Sequence, residues 1–151
     1  MTTDHAPVSR ALGQKPRAII VTGVIGADCH IVGNRLLSLV LQQSGFNVVS
    51  LGALTCAADF IKAAIETGAD AIFISSMYGH GQLDCAGFPQ LCLEAGLRVR
   101  LYVGGYLMVG QQTEAEVQRY FRDMGFHRVF GPHVSAAAIA AELKCDLGLP
   151  T

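Results

Sequence analysis

Short β-branched runs alternate with helix-patterned segments along most of this chain. Glycines lie at the boundaries between these helical segments and the β-type runs that follow them. Helices commonly end on glycine, and the four such positions are Gly45, Gly68, Gly96 and Gly125. Alternation of this kind, with nearly continuous apolar strands, predicts a parallel sheet with helices on both faces. The predicted strands are residues 17–23, 47–51, 71–75, 98–103 and 128–130.

The predicted fold class is α/β, a doubly wound five-stranded parallel sheet of the Rossmann-like or flavodoxin-like kind. Right-handed crossovers give the doubly wound arrangement. One sequence does not determine the strand order, and 2-1-3-4-5 is the default for five such units. Pro89 is compatible with the third predicted helix if that helix begins near Phe88, because proline is tolerated in a first turn. Cys85 and Cys92 are expected on one helix face as core thiols. Apolar residues at i, i+3 and i+4 predict helices around 36–41, 60–65, 88–95 and 117–124, and a last helix covers 135–143.

The length of 151 residues suits one domain, predicted at 16–151 behind a flexible leader at 1–15. A net charge of −1 without a Lys/Arg cluster argues against a nucleic-acid partner. Apolar segments are too short for a membrane span, and the first residues lack an apolar signal core. These features, with five scattered cysteines and no CxxC pair, predict a cytoplasmic protein with reduced thiols.

The loop after the first predicted strand carries the clearest chemical motif. It lacks the glycine spacing of a dinucleotide site and the Lys-Ser/Thr pair of a P-loop, but it contains Asp28-x-His30-x-x-Gly33. A histidine that binds a metal through one ring nitrogen generally donates its other N–H to a carboxylate, which Asp28 can supply. The alternative is a histidine that is merely solvated or bonded to backbone.

Two further loops follow strands at the sheet edge where such folds bind ligands. Ser75-Ser76-Met77 follows the third predicted strand, where a receiver domain would have its phosphoacceptor Asp. Gly104-Gly105 ends the fourth, and paired glycines let a flat ligand approach the backbone closely. Taken singly, each is equally well explained as an ordinary turn between a strand and a helix.

In this order, the three motifs resemble the DxHxxG, SxL and GG motifs of the cobalamin-binding domain family. The segments GVIGADCHIVGN, GFNVVSLGALT, SSMYGHGQLDC and LYVGG resemble, more narrowly, the family of glutamate mutase (methylaspartate mutase) small subunits, over residues 17–143. The resemblance implies adenosylcobalamin as cofactor, with His30 as the lower axial ligand of cobalt and Asp28 behind it. The displaced benzimidazole tail is expected between the sheet and the first and last helices. The implied cofactor site consists of Asp28, Cys29, His30, Gly33, Ser75, Met77, Gly104 and Gly105.

The same resemblance implies an isomerase that interconverts L-glutamate and threo-3-methylaspartate by a radical mechanism. No catalytic residue beyond the cofactor ligand is expected in this subunit. A larger barrel subunit is expected to hold the substrate, in a heterotetramer of two small and two large chains. An apolar-rimmed face around Tyr78, Tyr106 and Met108 is the expected contact.

Some residues depart from the family pattern. Tyr106 and Gln111 replace an Asn and a Lys that are usual in these small subunits, and Met77 replaces the leucine of SxL. A related mutase acting on another acid is therefore one alternative. A corrinoid methyl carrier is another, disfavoured because about sixteen residues before the first strand are too few for a helical bundle. A receiver-like module is disfavoured because Ser75 stands where Asp is required.

Overall fold

A computed structural model describes residues 17–150, which form one parallel five-stranded sheet with helices on both faces. The strand order β2-β1-β3-β4-β5 is the predicted one. The predicted leader at 1–15 lies outside the described residues. The strands are β1 (Ile19–Val24), β2 (Asn47–Ser50), β3 (Ala71–Ser75), β4 (Arg100–Gly104) and β5 (Arg128–Phe130). The helices are α1 (Ile31–Gln43), α2 (Ala57–Thr67), α3 (Gly81–Asp84), α4 (Phe88–Glu94), α5 (Glu114–Met124) and α6 (Ala136–Leu147).

Two apolar cores lie on opposite faces of the sheet. Alternate residues of a strand point to opposite faces, so Ile72 and Ile74 enter one core and Phe73 enters the other. Helices α2, α4 and α5 cover the first core, and α1 and α6 cover the second. This explains why β3 is buried at every position and apolar at every position except the terminal Ser75. No helix within residues 17–150 has the length and apolar composition for a membrane crossing.

The amino ends of β1 and β4 begin two residues later than the sequence predicts. Asp70 sets both starts, because its carboxylate accepts from the Ile19 N–H (2.8 Å) and its carbonyl accepts from the Arg100 N–H (3.1 Å). β4 therefore starts level with β3, the central strand of the sheet, and β1 starts one residue earlier.

The prediction that Cys85 and Cys92 share one helix is wrong. Gly87 adopts a left-handed backbone (φ 73°) between α3 and α4, so Cys85 ends one helix and Cys92 lies in the next. Their prediction as core thiols is confirmed, since both are buried and burial raises their pKa values, to about 12 and about 11. Helix α4 begins at Phe88 with Pro89 in its first turn, as predicted.

Candidate functional site

Three loops meet at the carboxyl edge of the sheet because the strands that precede them end level. Val24 pairs with Ser75 in the register, and Ser75 pairs with Gly104. The loop after β1 therefore lies beside the start of the loop after β3, and Gly105 lies on the other side of it. The sequence motifs from three distant parts of the chain come together here.

Asp28 and His30 form a tightly bonded pair in the loop before α1. The ring Nδ1 of His30 lies 2.5 Å from Oδ1 of Asp28, and the same oxygen accepts from the backbone N–H of His30 at 2.9 Å. The other carboxylate oxygen, Oδ2, accepts from the backbone N–H of Met77 at 2.6 Å. The Asp28 side chain is fully buried, whereas the His30 side chain is 61% exposed. The histidine is thus anchored on one side and open to solvent on the other.

The hydrogen bonds to Asp28 determine its protonation. Burial alone would raise the pKa of this carboxyl, but the bonds from Met77 and His30 outweigh it and lower the pKa below its usual value. An ionised carboxylate at Nδ1 places the imidazole proton on that nitrogen. Nε2 of His30 is then left with a free lone pair, the form in which neutral imidazole binds a metal. Within residues 17–150, no three His, Cys, Asp or Glu side chains converge to form a metal site of their own.

A strip of buried polar groups lies between the sheet and α1. Asn34 donates from Nδ2 to Oγ of Ser75 (3.0 Å), and the hydroxyls of Thr22 and Ser38 are 3.0 Å apart. Oδ1 of Asn34 is buried without a hydrogen-bond partner in the part of the chain described. Buried polar atoms are normally bonded, so Oδ1 of Asn34 marks the strip as a place where a polar ligand can add a partner.

Sequence reasoning found Ser75 in this strip but missed Thr22, Asn34 and Ser38. The available signals were a hydroxyl inside the apolar run IIVTGV and two polar residues four apart on the buried face of α1. Gly33, one residue before Asn34, is exposed, and a Cβ added there would have nothing within 4 Å. The open space beside the predicted Gly33 position is therefore adjacent to the strip.

Packing within the chain requires glycine at both positions of the pair at the end of β4. A Cβ on Gly104 would lie 3.0 Å from the Phe73 ring, and a Cβ on Gly105, whose φ is 122°, would lie 2.2 Å from the carbonyl oxygen of Ser76. These contacts hold the loops after β3 and β4 against each other. Met77 and Cys29, the remaining predicted site residues, are both exposed at this edge.

A family model, the B12 binding domain, matches residues 18–141. Glutamate mutase sigma subunits from Clostridium tetani and Clostridium cochlearium are each 51% identical to this chain over 131 residues, covering 86% of it and 96% of the relative. The chain belongs to the B12-binding domain family, among the glutamate mutase sigma subunits. A cobalamin-binding protein from Desulfitobacterium hafniense DCB-2 shares the fold (TM-score 0.70, 19% identity), covering 85% of this chain and 58% of that protein.

The expected partner face of this B12-binding domain is only partly exposed. Tyr106 is 43% exposed and Met108 is half-buried, as a contact face requires. Tyr78, in contrast, donates its hydroxyl inward to Asp84. Exposed apolar area at this edge comes instead from Met77 and Val109, which flank Tyr106.

Proposed function

We propose that this chain, over residues 16–151, is the cobalamin-binding small subunit of glutamate mutase, with adenosylcobalamin as its cofactor. The observation that carries the proposal is His30, whose Nδ1 is fixed by buried Asp28 while its ring is open at the carboxyl edge. The sequence similarity to glutamate mutase sigma subunits supports the proposal. The reaction would then be the interconversion of L-glutamate and threo-3-methylaspartate.

The described residues fit the cofactor. His30 would hold cobalt through Nε2, and Asp28 would keep the proton on Nδ1 and balance charge on the ring. The nucleotide tail would lie past Gly33, where there is open space, and along the polar strip. There the unpartnered Oδ1 of Asn34 can accept a hydrogen bond. Cys29, Ser75, Met77, Gly104 and Gly105 would complete the walls of the site.

When bound, adenosylcobalamin supplies radical chemistry by homolysis of its cobalt–carbon bond. In this proposal, the chain binds the cofactor and orients it. The buried Asp28 fixes the direction of the His30 ring, and the glycine pair keeps the two neighbouring loops in contact. No side chain of this subunit is assigned a proton transfer to or from the substrate.

A larger catalytic subunit, a barrel in this proposal, would hold the substrate and cover the carboxyl edge in a heterotetramer of two small and two large chains. Exclusion of water from a radical reaction requires such a cover. Met77, Tyr106 and Val109 offer it exposed apolar surface beside His30.

Reconstitution tests the proposal directly. The full chain, mixed with the large glutamate mutase subunit and adenosylcobalamin, is expected to convert L-glutamate to threo-3-methylaspartate. His30→Ala should abolish conversion, whereas His133→Ala, an exposed histidine without an assigned role, should retain it. Absence of conversion by the wild-type mixture, with a known sigma subunit active in the same assay, contradicts the assignment.

Tyr106 and Gln111 favour one second candidate, a related carbon-skeleton mutase. Tyr106 is exposed in a loop at the same edge of the sheet as His30, and Tyr106 and Gln111 both differ from the residues usual in glutamate mutase small subunits. Conversion of another acid, but not of glutamate, in the presence of the matching large subunit would support that candidate.

A further inference from the structure

Tyr78 and Asp84 form a bonded pair beside the turn that leads into the Asp28–His30 loop. The Tyr78 hydroxyl donates to Oδ2 of Asp84. The Asp84 carboxylate packs directly against Gly26, since a Cβ added to Gly26 would lie 2.5 Å from Cγ of Asp84. Gly26 has a φ of 74°, so glycine is favoured at this position both by the backbone and by the neighbouring carboxylate.

Tyr78 is the donor in this pair. The bond to Asp84 raises the pKa of Tyr78, and burial raises it further. The phenol therefore keeps its proton and donates to the Asp84 carboxylate. Met77, the residue before Tyr78, binds Asp28 through its own N–H. Two consecutive residues of the loop after β3 therefore act on the loop after β1, Met77 through Asp28 and Tyr78 through Asp84 and Gly26.

The opposite side of the turn is held by backbone bonds alone. Gly26 donates to the Thr55 carbonyl (2.8 Å), and Leu54 donates to the Asp28 carbonyl (3.1 Å). Those bonds do not depend on side chains. The contacts on the Tyr78 side do, so this side can be altered by substitution while the backbone bonds remain.

We propose that Tyr78 and Asp84 are positioning residues that fix the turn at Gly26 and thereby set the direction in which His30 presents Nε2. The inference rests on the proposed role of His30 as cobalt ligand. Neither residue touches the cofactor in this proposal, because both act through the loop.

Tyr78→Phe is the test, with Tyr120→Phe, an exposed tyrosine of α5, as matched control. Affinity for cob(II)alamin, and the fraction of bound cobalamin whose electron paramagnetic resonance (EPR) spectrum shows a histidine nitrogen, are measured on the full-length protein. Tyr78→Phe should weaken binding about tenfold, the factor for one lost hydrogen bond to a charged group of about 1.4 kcal/mol. It should also yield a mixture of ligated and unligated cobalt at saturation, whereas Tyr120→Phe should match wild type.

A cofactor-free measurement separates this inference from the proposed function. In protein labelled with nitrogen-15 histidine, the His30 ring signals, assigned with His30→Ala, should shift in Tyr78→Phe and not in Tyr120→Phe. Unchanged ring signals, affinity and EPR spectrum in Tyr78→Phe overturn the positioning role. A wild-type EPR spectrum without histidine coupling overturns the ligand role instead, while the ring signals still report on the turn.

Two measurements cover the case in which Tyr78→Phe does not fold. Asp84→Ala removes the other half of the pair and should lower cobalamin affinity and the histidine-ligated fraction as Tyr78→Phe does. If both single variants are soluble, the double variant should show no greater loss than either of them. In wild type, a nuclear Overhauser effect is expected between the Gly26 Hα and Asp84 Hβ protons, because the Asp84 carboxylate packs against Gly26. Absence of that effect contradicts the inference.

Discussion

At the scale of single residues, the site depends on how many donors Asp28 satisfies. Its two oxygens accept from three N–H groups, belonging to the His30 ring, the His30 backbone and the Met77 backbone. A carboxylate can accept at both oxygens, whereas an amide offers one acceptor and one donor. The residue type is therefore specified by geometry as well as by charge.

Asp28→Asn tests this directly. The amide NH₂ would face an N–H donor on one side, which leaves a buried donor unpaired at a cost of about 1–3 kcal/mol. Chemical denaturation should show that loss, and cobalamin affinity should fall with it. Asp123→Asn, an exposed carboxylate on α5, is the control and should change neither. Wild-type stability and affinity in Asp28→Asn contradict the described geometry.

Gly33→Ala separates cofactor binding from folding. A methyl group at this exposed helical position meets nothing within 4 Å and removes a flexible glycine, so the free protein should be up to about 1 kcal/mol more stable. If the tail runs past Gly33, cobalamin titration should show an affinity about tenfold lower because the methyl group overfills the site. Unchanged affinity would place the tail elsewhere.

At the scale of elements, a charged network ties α6 to β4 and β5. Arg128 donates to both carboxylate oxygens of Asp146 (2.6 and 2.7 Å), and the buried Tyr102 hydroxyl donates to the same side chain at 2.9 Å. The bond from Arg128 lowers the pKa of Asp146, burial opposes it, and the Tyr102 bond lowers it further. This network fixes the end of a helix that also packs on α1, which carries the polar strip.

Asp146 should therefore make stability depend on acid pH. Its folded pKa is below the ordinary 3.8, so its contribution is complete above that value and is lost as pH falls through the folded pKa. Near neutral pH, Asp146→Asn should lower the free energy of unfolding by about 1–2 kcal/mol, since Arg128 is partly exposed. The difference from wild type should shrink in strong acid. A difference independent of pH would contradict this ionisation.

The sequence predicted elements better than contacts. The bounds of β3 and β5 and the Asp28–His30 pair were predicted correctly, because apolar runs and a two-residue spacing are local features. Helix α3 was missed, since four residues cannot show a helical period. The bond between Asn34 and Ser75 joins residues 41 apart and depends on sheet register and helix rotation, which one sequence does not specify. The close approach of Gly105 to Ser76 has the same origin.

At the scale of the whole molecule, the carboxyl edge carries the open histidine and exposed apolar side chains together. Met77, Tyr106 and Val109 are exposed by 37%, 43% and 50%. In the proposed assembly, a partner that covers this whole edge would cover His30 as well. The site of this chain is thus one half of a larger site in the proposed assembly.

Tyr106→Asp should weaken that assembly, because a charge would be buried against an apolar partner surface. Binding of the large subunit, measured by calorimetry, should fall at least about tenfold, while cobalamin ligation by the small subunit persists. Tyr120→Asp, on α5, is the control and should leave binding unchanged. Equal binding by Tyr106→Asp and wild type would remove the carboxyl edge around Tyr106 from the proposed interface.

Ligation of cobalt by His30 is measured most directly by the EPR spectrum of cob(II)alamin bound to the full chain, with and without nitrogen-15 labelling of histidine. Labelling should change the nitrogen superhyperfine splitting, and the effect should disappear in His30→Ala. Bound cobalamin whose splitting ignores the label would contradict the role of His30 as the cobalt ligand.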